Sequence, residues 1–239
     1  MNEFFTPTCL DDFIFSNTAE RFKLEVILSR KFPFPSAGKS GILLHGTWGT
    51  GKSTLSRLLP CLLETAYLNT WSAAAGIGQM PAHDASSTDS VKFACGGGLS
   101  SVQIAKDIEA LTSHLQITNA SRHDYFIFDE IDGLTQPAQK SLRSKMDLPR
   151  SMYFLSTNYL SKVDQGVINR CHLVEMNQAT SLQTYVPLGN SVLRKMQVPE
   201  GAVDAATLMG IAKTARGSMR SYITEVGFAG LANGGAVPA

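Results

Sequence analysis

The sequence predicts an α/β fold: a parallel sheet flanked by helices, followed by a small helical region. Three observations carry this. A short apolar run, Gly41–His45, leads into a glycine-rich stretch, Gly46–Lys52, and then into helical apolar spacing over Ser53–Leu63. A second apolar run, Tyr125–Phe128, ends directly in Asp129 and Glu130. Strands alternate with helices as far as Val174, a pattern that calls for parallel pairing through crossovers, and only helices follow.

In chain order, Leu10–Phe15 reads as a lead-in and Ala19–Leu28 as an amphipathic helix. Lys31–Ser40 holds two prolines and a glycine, which predicts a loop. Ala66–Thr70 reads as a second strand. Trp71–Ser100 is rich in Ser, Ala and Gly and reads as a long loop or insertion. Helical spacing returns over Ser101–Leu115, through Val102, Ile108, Leu111 and Leu115. Pro137–Met146 predicts a polar helix, and Met152–Ser156 and Cys171–Val174 two more strands. Leu182–Met196, Asp204–Ala215 and Ser218–Leu231 read as helices. We therefore expect an α/β unit over residues 1–177 and a helical unit over 178–239, with a flexible tail at Ala232–Ala239.

Of the 239 residues, 44% are hydrophobic, enough for a sizeable core, and the formal net charge is +1. Bulk charge therefore argues neither for nor against nucleic acid, and any nucleic-acid contact has to be local. Cys9, Cys61, Cys95 and Cys171 form no CxxC pair, so free thiols are expected. No apolar run approaches the roughly 18 residues that span a bilayer, and Met1–Asp12 lacks a basic-then-apolar leader pattern. The expectation is a cytoplasmic protein, not secreted and without membrane contact.

Gly46-Thr47-Trp48-Gly49-Thr50-Gly51-Lys52-Ser53 fits G-x-x-x-x-G-K-[ST] between a strand and a helix. Glycines let main-chain N–H groups curl around phosphates, and the following helix N-terminus, beginning near Thr54, adds a favourable dipole. Lys52 then neutralises the outer phosphates of ATP, and the Ser53 hydroxyl ligates Mg2+. Asp129, at a strand end, is placed to hold the metal, and Glu130 to polarise a water. Asn158 closes the next strand, where its amide can orient that water. Arg170, before the last strand, and Arg220, opening a late helix, supply the extra cations that phosphoryl transfer needs.

Together these residues resemble the AAA+ ATPases, and within them the clamp-loader clade of replication factor C small subunits and phage counterparts. Thr8–Phe13 is similar to the N-terminal segment that precedes the adenine pocket. The stretch from Asp129 to Arg143 follows DE-x-D-x-L-T-x-x-A-Q-x-x-L-R. The resemblance implies that Asn158 is the sensor-1 residue, that Arg170 acts in trans on a neighbour's nucleotide, and that Arg220 is the sensor-2 arginine. Leu68-Asn69 resembles a Leu-Asn segment whose Asn restrains the catalytic Glu, which would give Asn69 a switch role. It also implies DNA along the helix bearing Lys140, Arg143 and Lys145, other AAA+ subunits as partners, and a sliding clamp or another DNA-processing protein.

This chain departs from the pattern at Asn169, Ser218 and Trp48, and it ends after the lid, where clamp-loader subunits carry a helical collar. Two other readings stand beside this one. A polypeptide-threading motor would use an aromatic pore loop, for which Lys92-Phe93-Ala94 is the candidate. An ATP-gated scaffold would use slow hydrolysis as a timer.

Overall fold

The computed structural model describes residues 5–68, 76–82, 90–95, 104, 106–108, 110 and 121–236. Five parallel strands form one sheet: β1 (Gly41–His45), β2 (Ser90–Ala94), β3 (Asp124–Asp129), β4 (Ser151–Thr157) and β5 (Cys171–Glu175), in the order β2-β3-β4-β1-β5. β1 sits between β4 and β5, with Gly41 opposite both Tyr153 and Cys171. Both faces are covered, which is why β1, β3 and β4 read as nearly unbroken apolar runs.

Period-two alternation decides which face each residue serves. Ile42, Leu44, Tyr125, Ile127, Met152, Phe154 and Val174 point to one core, shared with α1 (Thr18–Leu28) and α2 (Lys52–Leu68). Leu43, Phe126, Phe128, Tyr153, Leu155 and Cys171 point to the other. That second core is closed by α3 (Gln136–Lys145) and α4 (Gln165–Asn169), through Leu142 and Val167, and by Ile104 and Ile108.

Local chemistry fixes the helix starts. Asn17 accepts the N–H groups of Ala19 and Glu20, Thr135 that of Ala138, and Asp164 those of Gly166 and Val167. After β5 the chain is helical: α5 (Tyr185–Lys195), α6 (Ala205–Ala215) and α7 (Met219–Ala232). Tyr222 donates its hydroxyl to Tyr185 O at 2.8 Å, and their rings meet edge to face at 5.2 Å. The apolar side chains of these helices, among them Leu188, Val192, Leu208 and Ile223, join the core on the α2 face of the sheet.

Two expectations need correction. Ala66–Leu68 belongs to α2 and not to a strand. The stripe Leu55, Leu59, Leu62, Leu63 and Ala66 stays buried past Leu63, so the helix continues, even through Pro60. The second strand is instead Ser90–Ala94, inside the segment read as a loop. It is an edge strand with only Phe93 buried, which leaves little apolar pattern to detect. In the C-terminal tail, the Ala236 N–H bonds Met196 O at 2.9 Å.

Candidate nucleotide site

The loop Gly46–Gly51 leaves β1 and enters α2, and backbone shape there requires glycine. Gly46 has φ +140°, and a Cβ on it would lie 2.3 Å from Met176 O. Gly49 has φ +77°, and a Cβ would meet Ser218 Oγ at 2.6 Å. The Thr47 N–H is held by Asn177 Oδ1 at 2.8 Å.

Lys52 is 6% exposed and curls into the loop, where Nζ donates to Gly46 O at 3.0 Å and Thr47 O at 2.5 Å. Burial lowers its pKa to about 8, against the opposing pull of Asp129, Asp132 and Glu130. A cation held among loop carbonyls gains from an anion that takes their place, and this fits a polyphosphate.

Across the loop, Asp129 Oδ1 accepts both Ser53 Oγ and Ser156 Oγ at 2.5 Å. Its Oδ2 pairs with Arg57 Nη2 at 3.2 Å. A hydroxyl and a carboxylate this close form a hard-oxygen pair of the kind that would suit Mg2+. Glu130 is exposed and adopts a left-handed conformation, φ 57°, ψ 54°. This costs a non-glycine residue roughly 1 kcal/mol. Its N–H donates to Ser156 Oγ at 3.1 Å.

Asn158 lies just past β4, beside a third carboxylate, Asp132. Its N–H donates to Asp132 Oδ1 at 3.3 Å, and Thr157 Oγ1 donates to that oxygen at 2.6 Å. Arg220 is the second residue of α7, exposed, and its N–H donates to Gly49 O at 3.1 Å. On the other side, a Cβ on Gly51 would touch Met219 Sδ and Phe13. The N-terminal segment thus packs on the loop, pinned by Asp12, which accepts the Thr8 N–H at 2.7 Å. Trp48 stands 62% exposed at the loop tip, edge on to Tyr159 at 5.6 Å.

Arg170 is elsewhere. Its carbonyl accepts the N–H groups of Ser40 and Gly41, at the start of β1. The loop leaves the other end of that strand, four steps or about 13 Å away. The guanidinium forks onto Asp147, Nε to Oδ1 at 3.0 Å and Nη2 to Oδ2 at 2.8 Å. Arg143 pairs with Asp164 at 3.7 Å, while Lys140 is exposed on α3. Asn69 lies outside the described residues.

Sequence reasoning overlooked Asn177, Arg57, Ser156 and Gln139. Gln139 is buried and ties Leu134 O, Lys162 O and the Asp164 N–H together. Arg57 and Asn177 left no signal, because their partners are distant in sequence.

No protein-family profile matches the chain. It is 26% identical over 242 residues to replication factor C subunit 4 of Schizosaccharomyces pombe, covering 97% of this chain and 61% of that protein. Among solved structures, the Thermotoga maritima RuvB Holliday junction branch migration motor aligns with a TM-score of 0.63 and 21% identity, over 94% of this chain and 64% of that one. A variant of the same motor aligns with a TM-score of 0.58. The chain thus spans less than two thirds of the relatives' lengths. Likeness in sequence over nearly the whole chain and likeness in fold agree: the chain resembles replication factor C subunit 4 in sequence and shares the fold of the RuvB motor.

Proposed function

We propose that this chain binds ATP with Mg2+ and hydrolyses it at an interface with another AAA+ subunit, in service of DNA replication or a related DNA transaction. The observation that carries the reading is the convergence of Lys52, Ser53 and Asp129 on the glycine loop. When bound, Mg2+ neutralises phosphate charge; Ser53 and Asp129 are the residues that would hold it.

The other roles follow from position. Lys52 exchanges loop carbonyls for phosphate oxygens. Glu130, displayed by its left-handed turn, accepts the proton of the attacking water, and Asn158 orients that water. Arg220 reaches the phosphates from the lid side. Arg170 faces away from its own loop, which favours action on a neighbour's nucleotide. Residues 1–177 form the nucleotide-binding unit in this reading, and 178–239 the lid. Lys140 is the favoured DNA contact, with Arg143 engaged by Asp164; Lys145 completes the set. A sliding clamp is a candidate partner.

The polypeptide-threading alternative loses its one candidate. Phe93 is buried in β2 and stacked on Phe128 with centroids 4.5 Å apart, so it is no pore-loop residue.

The test is steady-state ATPase with and without primed DNA, alongside nucleotide binding. Lys52→Ala should lose nucleotide binding, and Glu130→Gln should bind and not turn over. Equal turnover in Glu130→Gln and wild type would overturn the reading.

A further inference from the structure

Ser156 occupies a place that none of the roles above uses. It is the last residue but one of the buried strand β4, is 1% exposed and is hydrogen-bonded on both sides. Strand geometry puts it there. Phe154 opposes Ile127, Leu155 opposes Phe128, and one step further Ser156 comes level with Asp129. The alternation that sends Phe154 and Ile127 into the α2-side core sends Ser156 and Asp129 to the same side, where Ser53 stands at the start of α2.

One hydroxyl therefore serves two acidic residues. Its proton goes to Asp129 Oδ1 at 2.5 Å, and its lone pair accepts the Glu130 N–H at 3.1 Å. The second bond matters because Glu130 is a non-glycine residue in the left-handed region. Such a conformation persists only when its surroundings hold it. The bond fixes the main chain from which the Glu130 side chain is displayed, while the first bond fixes the carboxylate that faces Ser53.

We propose that Ser156 is a positioning residue for hydrolysis, holding the Asp129 carboxylate and the Glu130 turn in one register through a single hydroxyl. The inference rests on the function proposed above. It adds that β4 sets the geometry of both carboxylates, so a shift of the strand carrying Asn158 moves them together.

The experiment compares Ser156→Ala, Ser156→Cys and Ser156→Thr with wild type and Glu130→Gln. Hydrogen–deuterium exchange of the Glu130 amide is measured in nucleotide-free protein, and kcat, KM and Mg2+-free nucleotide affinity in parallel. Alanine, which lacks the hydroxyl, and cysteine, of similar size but a weak donor and acceptor, should speed exchange at Glu130. Both should lower kcat about tenfold or more while KM and Mg2+-free affinity stay within about twofold, since misplacing a reacting group by about 1 Å can cost a hundredfold. Threonine keeps the hydroxyl and should restore both kcat and protection. Should threonine not fit, the cysteine variant, which preserves volume, still separates hydroxyl from packing.

If Glu130→Gln turns over like wild type, the functional reading fails, and the exchange arm still decides whether Ser156 holds the turn. If that control behaves and Ser156→Ala keeps kcat within twofold, or leaves Glu130 exchange unchanged, the positioning role is overturned.

Discussion

The carbonyl oxygen of Gly49 accepts the main-chain N–H of Arg220 at 3.1 Å. Through this bond the third helix of the C-terminal region begins on the glycine-rich loop itself. Ser218, which caps that helix by accepting the Ser221 N–H, sits where a side chain on Gly49 would go. The glycine loop and the start of α7 are therefore joined through the main chain, so a change in the shape of the loop also moves Arg220.

Gly49→Ala should break this contact. The residue has φ +77° and Ser218 Oγ 2.6 Å from its would-be Cβ, so strain and clash add. A loss of about 1–3 kcal/mol in unfolding free energy is expected, with nucleotide affinity reduced at least tenfold. Denaturant unfolding and a fluorescent-nucleotide titration measure the two effects.

Nucleotide affinity should fall in alkaline solution. Lys52 has its pKa lowered to about 8 by burial, while the complex needs the charged ammonium. Above about pH 8 the free site loses its proton, and Kd for ATP should rise toward tenfold per pH unit. The unliganded protein should respond in the opposite sense. The unfolded chain keeps the lysine proton up to its ordinary value of 10.5, so it binds more protons than the folded state from about pH 8 upward. Stability without nucleotide should therefore gain a rising contribution from this group through that window. Lys52→Gln should remove the stability trend, as seen by thermal unfolding from about pH 7 to 10, while the affinity trend is read by titration of the wild type.

Phe93→Ala separates a core residue from a pore-loop residue. Its ring is buried and stacked on Phe128 at 4.5 Å, so truncation should cost about 3 kcal/mol. A stability within 0.5 kcal/mol of wild type, joined to loss of peptide-stimulated ATPase, would instead favour the threading motor; the figure is the usual range for a surface change, roughly ±0.5 kcal/mol.

Asp147→Ala releases the Arg170 fork. The pair is at the surface, with Asp147 side chain 57% exposed, so stability should change by less than about 1 kcal/mol. If the pair presents the guanidinium to a neighbour, turnover of the assembled protein should fall several-fold. Its dependence on protein concentration should steepen.

Much of the architecture was legible because the residues that encode it are local. The loop Gly46–Ser53 and the run ending at Asp129 announce a strand, a turn and a helix within a few positions. Parallel burial makes β1, β3 and β4 apolar throughout. The edge strand Ser90–Ala94 escaped because one face of a short edge strand leaves a single buried side chain, Phe93. The C-terminal end of α2 was mistaken for a strand because Ala66-Tyr67-Leu68 is short and apolar, and such a run fits either structure. Within the site, the motif residue Ser53 meets the strand-end residue Asp129 through a hydrogen bond of 2.5 Å. The hydroxyl of Ser156 and the guanidinium of Arg57 reach Asp129 from 27 and 72 positions away, and no single-sequence pattern encodes that meeting.

The central claim is that ATP is hydrolysed between two chains, with Arg170 supplied in trans. Mixing two inactive variants tests it most directly. Glu130→Gln lacks the base but carries Arg170, and Arg170→Ala lacks the cation but keeps an intact loop and base. ATPase activity is measured for each alone and for equimolar mixtures across protein concentration. The account predicts that the mixture regains a substantial part of wild-type turnover, rising with concentration as mixed interfaces form. A mixture no more active than the sum of its parts at every concentration, or Arg170→Ala alone turning over like wild type, would contradict it.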